Sequence, residues 1–330
     1  MRQYVIGVDG GGTKTHYALF DLDGNLAGFH QGGPANHETY PNGYQGTRRE
    51  LEQSFQVLFE QSGAAMNQIR YGCFGLAGID VAPQQAALAA IIAEMGLERF
   101  RVMNDAFLGI KAVSDCGSGV CSIHGTGTCC AAIDPRGQRL QIGGTGYFFG
   151  DEGGSHYLGG MAFRKVYDQL FRCGPPTVMK EMLFELLGIG RAEELVETIY
   201  RQKCFDNWDR FLKLPFYAAN QGDPVALDLL RYTGWQAAQS VVGAIRRLDF
   251  AAADPLEMIM AGSVYVKGEN PTLIEAFQRE IGARVAQPVR FTLLQVPPVA
   301  GAVLWALEAL RPELDRRLRT QVLRNLATVV

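Results

Sequence analysis

The sequence predicts an α/β protein in which one architectural unit is laid down twice. Three observations predict it. Apolar, β-prone runs alternate with stretches of helical spacing through the first third of the chain. Two of these runs, one near residue 4 and one near residue 119, open into glycine- and threonine-rich loops and are each followed by a second run, a turn and a third run. A mostly helical stretch, about 155–247, then precedes two late strands.

In chain order, Tyr4–Val8 is a strand leading into Asp9-Gly10-Gly11-Gly12-Thr13. His16–Leu22, the turn Asp23-Gly24 and Asn25–Phe29 give the second and third strands. Thr47–Gln61 carries Leu51, Phe55, Leu58 and Phe59 at helical spacing. A strand at Tyr71–Leu76, a helix at Pro83–Met95 and a strand at Arg101–Asn104 follow, with a short helix beginning after Asp105. The pattern restarts with Gly119–Ile123, the loop His124–Thr128, Cys129–Ile133, the turn Asp134–Gly137 and Leu140–Ile142. Strands are expected near Ile259–Ala261 and at Phe291–Val296, and a terminal helix opens at Pro297–Ala302. The domains are expected at 1–115 and 116–299, the second carrying a helical insertion, with helix 300–330 a candidate to pack back on the first.

The 330 residues, 47% hydrophobic and 20% charged, suit a soluble globular chain of two ordinary domains. A net charge of −3 provides no electrostatic footprint for nucleic acid or anionic membrane, and no apolar run approaches a membrane span. Met1-Arg2-Gln3 leads directly into the first strand, so no signal peptide is expected. The seven cysteines form no Cys-x-x-Cys pair and lie mostly in apolar runs, so they read as small buried hydrophobes in a reducing cytoplasm.

The chemistry-bearing feature is the first loop. Glycine lets backbone N–H groups close on an anion with no Cβ in the way, so Gly11, Gly12 and Thr13 are candidates to hold a phosphate. Asp9 stands where a hydrated divalent cation on that phosphate would be held. A P-loop is excluded because Thr13 intervenes before Lys14 and a strand, rather than a helix, follows; no Gly-x-Gly-x-x-Gly follows the first strand either. The plain alternative is an ordinary glycine-rich hairpin. The second loop, Gly125, Thr126 and Gly127, opens the repeat and would face the same nucleotide across a cleft.

Asp105 follows a strand and starts a helix, so it sits at the carboxyl end of the sheet, where open α/β folds place their ligands. It is the candidate general base; its alternative is a helix N-cap. Asp151 and Glu152 are adjacent carboxylates between glycines, and Asp151 reads as a ligand for a polyol, with Glu152 either a second ligand or a solvated loop charge. Asn36 could bridge two hydroxyls or be a turn residue after Pro34. His124, beside a phosphate loop, reads as structural, and Lys14 is given no role.

With these pieces in order, the chain resembles the sugar kinase, heat-shock protein 70 and actin superfamily. Within it, the sequence is similar to the N-acetylglucosamine kinases and the BadF/BadG/BcrA/BcrD ATPase family. Asp9–Thr13 resembles the first phosphate motif, Asn104-Asp105-Ala106 the first connecting motif, and His124–Thr128 the second phosphate motif. Ala261-Gly262-Ser263-Val264 resembles the adenosine motif and Val299-Ala300-Gly301-Ala302 the second connecting motif. The resemblance implies two ribonuclease H-like (actin-like ATPase) domains with a nucleotide and sugar cleft between them. It implies ATP and Mg2+ as cofactors, transfer of the γ-phosphoryl group to the 6-hydroxyl of an amino sugar, and a homodimer.

By the same resemblance, Asn36, His37, Ala77, Gly78, Asn104, Asp105, Gly144, Thr145 and Asp151 contact the sugar. Gly11, Gly12, Thr13, Gly125, Thr126, Gly127, Ala218, Gly262 and Ser263 contact ATP, with Asp9 holding Mg2+ through water. One departure stands out: Thr145 occupies a position where the amino-sugar kinases carry tryptophan, which leaves room for a larger substituent. Two other readings share the scaffold. An ATPase activator of a radical dehydratase would bridge an iron–sulfur cluster between subunits, drawing on Cys129 or Cys130 with Cys173. A non-catalytic sugar or nucleotide sensor would bind both ligands without turnover.

Overall fold

In the computed structural model, residues 2–311 and 313–329 are described; Met1 at the expected leaderless start, Pro312 and Val330 lie outside them. The first half runs β1 (Tyr4–Gly10), β2 (Thr15–Asp21), β3 (Leu26–Gly32), α1 (Tyr44–Ser62), β4 (Ile69–Leu76), α2 (Ala82–Glu94), β5 (Phe100–Met103) and α3 (Leu108–Val113). The second continues with β6 (Gly119–His124), β7 (Thr128–Ile133), β8 (Arg139–Gly143), α4 (Ser155–Phe171), α5 (Met179–Leu187), α6 (Glu194–Arg201), α7 (Lys213–Asn220), α8 (Pro224–Arg247), β9 (Leu256–Ala261), α9 (Ser263–Lys267), α10 (Thr272–Arg284) and β10 (Val289–Leu293). Two helices close the chain, α11 (Val299–Glu308) and α12 (Arg316–Ala327).

The two sheets have the same topology. One is ordered β3-β2-β1-β4-β5 and the other β10-β9-β6-β7-β8, so in each the opening strand is central and flanked by its hairpin partner on one side and the fourth strand on the other. β1 pairs antiparallel with β2 and parallel with β4, and β4 pairs parallel with β5. The duplication expected from the two glycine loops, and the mixed α/β class with it, is therefore present in the backbone. Val5, Ile6 and Val8 of β1 are fully buried on both faces, as a central strand covered by helices requires. Each such side chain contributes roughly 1.5–3 kcal/mol relative to exposure.

The chain divides into two units: Met1–Cys121, Ala131–Leu140 and Leu294–Val330 form one, Ser122–Cys130 and Gln141–Leu293 the other. Within the first, α11 is buried all round from Val299 to Leu307, the signature of a helix inside a core. It lies on β1 so closely that a Cβ at Gly7 would stand 2.7 Å from Val303. Two expectations change. The helix expected over 300–330 is broken into α11 and α12, the second capped by Asp315, whose carboxylate accepts from the Arg317 N–H at 3.0 Å. The strand expected at Phe291–Val296 ends at Leu293, ahead of Pro297 and Pro298.

Candidate active site

In the first unit the candidate residues converge because β1, β4 and β5 are neighbouring parallel strands whose carboxyl ends coincide. Asp9 is the last residue but one of β1, Ala77 and Gly78 follow β4, and Asn104 and Asp105 follow β5. The Ala77 N–H donates to the Gly10 carbonyl at 2.7 Å, locking two of these ends together. Between β1 and β2 the turn is closed by the Gly11 N–H on the Lys14 carbonyl at 3.0 Å. A Cβ at Gly12 would meet nothing within 4 Å, so the protein's own packing does not account for that glycine.

Asn36 and His37 join this group from the turn after β3. Asn36 Oδ1 accepts from the Glu38 N–H at 3.0 Å and caps the short turn His37–Thr39. His37 is buried, stacks on Tyr44 with ring centroids 4.2 Å apart, and its Nδ1 has no hydrogen-bond partner. Gly78 is in the left-handed region (φ +79°); a Cβ there would collide with Asn36 Oδ1 and lie 3.2 Å from the His37 ring. The asparagine and the glycine turn are thus one packed unit.

At the end of β5 the capping residue is Asn104, whose Oδ1 accepts from the Ala106 N–H at 2.9 Å. Its Nδ2 reaches the Ile79 carbonyl (3.2 Å) and Asp80 Oδ1 (3.3 Å), tying β5 to the turn after β4. Burial pushes the Asp105 carboxyl up to about 7, the Ala106 N–H opposing and the Asp80 charge adding. Asp9 is pushed up to about 8 by burial first and by the Asp105 charge second, with Lys14 opposing. Lys14, given no role from sequence, is exposed yet acts electrostatically on Asp9.

Asp9 and Asp105 are half-buried carboxyls, and the charge of Asp105 makes Asp9 harder to ionise. Among the described residues no group of three or more His, Cys, Asp or Glu side chains is placed to hold a metal ion. Such carboxylates would suit a hydrated ion such as Mg2+, which binds through one or two carboxylates, water and substrate phosphates.

In the second unit, the loop after β6 is held by the start of α4. The Ser155 N–H donates to the Gly125 carbonyl at 2.8 Å and the His156 N–H to the Thr126 carbonyl at 3.4 Å. The turn after β9 closes on the same loop: a Cβ at Gly262 would lie 2.8 Å from the Gly125 nitrogen and collide with the His124 carbonyl. Gly125 and Gly127 themselves face open space, as Gly12 does. Ser263 begins α9 beside them. Ala218 is buried in α7, whose end is joined to the loop after α9 by Asn270 Nδ2 on Asn220 Oδ1 (2.7 Å) and Asn220 Nδ2 on the Glu269 carbonyl (3.3 Å). His124 is structural: it is buried, Nδ1 lies 3.1 Å from the Gly153 carbonyl, and burial lowers its pKa to about 4, keeping it neutral.

Asp151 departs from its expected part. Its carboxylate is taken up by three consecutive backbone N–H groups, Gly144 (3.1 Å), Thr145 (2.7 Å) and Gly146 (2.6 Å). It holds the loop in place through charge-assisted bonds, whereas sequence reasoning aimed it at hydroxyls. Glu152 is not a solvated loop charge: Tyr157 donates to Oε2 at 3.3 Å and Gln236 donates at 2.9 Å, and the carboxylate pushes the Tyr232 hydroxyl up to about 12. Sequence reasoning missed Tyr157, Tyr232 and Gln236. No motif marks them, since α8 delivers Gln236 from 84 positions away. It also missed Asp80, signalled only by its place just after the glycine turn.

The cysteines offered for a bridging cluster do not form a credible set. Cys130 is buried and its thiol pushed up to about 12, while Cys173 is exposed at a left-handed position. Cys73, Cys121, Cys130 and Cys204 are the buried hydrophobes expected; Cys116 and Cys173 are surface thiols.

Among the described residues no helix is long and apolar enough to cross a membrane. The chain is similar to the N-acetylmuramic acid/N-acetylglucosamine kinase of Clostridium acetobutylicum, 28% identical over 204 residues, 60% of this chain and 65% of that protein. It is also similar to the N-acetyl-D-glucosamine kinase of Dictyostelium discoideum, 24% identical over 68% of this chain and 74% of the relative. The fold matches that of a Chromobacterium violaceum protein provisionally assigned as an N-acetylglucosamine kinase, with TM-score 0.70 and 22% identity over 93% of this chain and 99% of that one. Residues 6–306 match the BadF/BadG/BcrA/BcrD ATPase family, and the chain belongs to it.

Proposed function

We propose that this protein is an ATP-dependent sugar kinase that transfers the γ-phosphoryl group to the 6-hydroxyl of N-acetylglucosamine or a related amino sugar such as N-acetylmuramic acid. The observation that carries this reading is the convergence of Asn36, Gly78, Asn104 and Asp105 with Asp9 at the carboxyl ends of three adjacent parallel strands. A hydroxyl-binding amide, a carboxylate poised near neutral pH and a phosphate turn are what phosphoryl transfer to an alcohol needs. The two similar kinases named above support the substrate class.

In this reaction the amide of Asn36 and the Asn104–Asp105 turn orient the acceptor sugar. Asp105 accepts the proton of the attacking hydroxyl as its oxygen bonds to the γ-phosphorus and the bond to ADP breaks. Its pKa of about 7 suits a general base near neutrality. Asp9 would hold Mg2+ through water. When bound, the ion neutralises charge on the phosphates. Gly11, Gly12, Thr13 and the Gly125–Gly127 loop offer N–H and hydroxyl donors to the phosphates, while Ala218, Gly262 and Ser263 border the adenosine. Thr145, with Gly144, would line the sugar's substituents.

A panel of N-acetylglucosamine, glucosamine, N-acetylmuramic acid and glucose, offered with ATP and Mg2+, tests this by ADP release and by locating the phosphate on the product. Phosphorylation at the 6-hydroxyl of an amino sugar, reduced about 10²–10⁴-fold by Asp105→Asn, is the expected result. ADP release that no sugar stimulates, or that Asp105→Asn leaves unchanged, would remove the reading.

A further inference from the structure

The N–H groups of Asn104 are spent inside the protein. The residue is 5% exposed, and its Nδ2 faces two protein acceptors, the Ile79 carbonyl at 3.2 Å and Asp80 Oδ1 at 3.3 Å. Its Oδ1 takes the Ala106 N–H at 2.9 Å. The amide is therefore a brace between two strand ends: one edge holds the turn that begins at Asp105, and the other holds the turn after β4. It brings two carboxyls together, Asp105 beside it in the chain and Asp80 on the end of its side chain. Burial raises the Asp105 carboxyl, and the Asp80 charge adds to that rise.

The start of α2 is closed by another side chain. Gln84 Oε1 accepts from the Asp80 N–H at 2.8 Å and from the Val81 N–H at 3.0 Å. Gln85 Nε2 ties the same turn of helix to the Val102 carbonyl of β5 at 2.7 Å. The backbone at Asp80 is thus fixed from α2, and its carboxylate from the end of β5. Asp80 is half-buried where Asn104 is buried. A carboxylate offers about four lone-pair sites, so the bond from Asn104 leaves it able to accept from a hydroxyl. A carboxylate held in one orientation is a strong and selective acceptor for one hydroxyl of a polyol. Every residue in this arrangement belongs to the unit that contains Met1–Cys121.

We propose that Asp80 accepts a hydrogen bond from the 4-hydroxyl of the acceptor sugar, and that Asn104 positions Asp80 and the Asp105 turn without touching the sugar. This rests on the sugar-kinase reading, which puts the reacting 6-hydroxyl on Asp105. The 4-hydroxyl is the ring hydroxyl nearest to it in a hexopyranose, so two carboxyls joined through one amide match the pair. An acceptor that lacks the 4-hydroxyl, or carries a substituent on its oxygen, leaves the Asp80 carboxylate without its donor and is rejected. A substituent on the 3-oxygen, as in N-acetylmuramic acid, leaves that contact in place.

The test crosses two sugars with three variants. N-acetylglucosamine and its 4-deoxy analogue are compared by kcat/KM in the wild type, Asp80→Ala, Asp80→Asn and Gln84→Ala. The wild type should favour N-acetylglucosamine by about 10²-fold or more. Asp80→Ala should lose about 10²-fold on N-acetylglucosamine and little on the deoxy sugar, so that the preference collapses. Asp80→Asn keeps the size and a neutral acceptor, and should retain only part of it. Gln84→Ala loosens the backbone of the same turn but leaves the carboxylate, so it should lower both sugars alike. Equal use of the two sugars by the wild type overturns the proposal without any variant. So does a full preference kept by Asp80→Ala or, if that variant does not fold, by Asp80→Asn. Failure of the wild type to phosphorylate either sugar overturns the kinase reading instead. Calorimetric titration with the same two sugars then decides the part of Asp80: tighter binding of N-acetylglucosamine that Asp80→Ala abolishes supports it, and equal or absent binding overturns it.

Discussion

The side-chain carbonyl of Asn36 occupies the space that a Cβ at Gly78 would need, and Gly78 holds a backbone conformation (φ +79°) that disfavours any side chain. Gly78→Ala therefore does two things at once. It strains the turn after β4, and it pushes the Asn36 amide off the turn that it caps. If Asn36 binds the acceptor, KM for the sugar rises about tenfold or more while KM for ATP stays near its original value. Steady-state kinetics with each substrate varied separately checks this; equal changes in both constants would mean general loosening of the fold.

Asp9 carries a pH signature. Its carboxyl is ordinary in the unfolded chain (3.8) and raised to about 8 in the folded one by burial and by Asp105. Between these values the folded state binds more protons than the unfolded state, so stability falls as pH rises from about 4 through about 8. The two carboxyls titrate as a pair, so the apparent values belong to both. In metal-free buffer, Tm of the wild type should drop from pH 5.5 to pH 8.5 more steeply than that of Asp9→Asn. Parallel curves for the two proteins would show that Asp9 is not held protonated.

Much of this was legible in the chain itself, for a physical reason. Val5, Ile6 and Val8 must be buried on both faces, and a run that ends abruptly in Asp9 and three glycines marks where such a strand stops and its ligand end begins. The second glycine loop repeats that signal, so the twofold sheet order follows. Side-chain direction was not legible. Asp151 looks like a free loop carboxylate, and only the backbone path of 143–146 shows it accepting three N–H groups. Glu152 depends on Gln236 in α8, a contact with no local pattern. The break between α11 and α12 was also hidden, because apolar spacing continues through Val322 and Leu326, both buried in the second helix.

Lys111 is a buried ammonium, its side chain 3% exposed, paired to Glu308 at 2.7 Å and so fastening α3 to α11. Removing one partner of such a pair leaves the other charge without compensation. Glu308→Ala should cost about 3 kcal/mol, the low end for a broken buried pair because Glu308 itself is 35% exposed. Lys111→Met keeps the volume and removes the buried charge, so it should cost less. Denaturant midpoints of the two variants check the order, and a larger loss for the methionine variant would contradict it.

Asp151 is the last test of how the second unit holds its loop. Three N–H groups converge on its two oxygens, so Asp151→Ala would leave three donors to water and free the segment 144–150 from its base. Asp151→Asn keeps one acceptor oxygen and the shape, and should preserve part of the order. The expected outcome is faster amide exchange confined to 144–150 in the alanine variant and an intermediate rate in the asparagine variant. Exchange elsewhere, in β6 and α4 for instance, should be unaffected, since those elements are held by the Gly125 and Thr126 carbonyls and not by this carboxylate. Unchanged exchange at 144–150 in Asp151→Ala would show that the loop keeps its form by its own backbone, and that the carboxylate is free to serve a ligand.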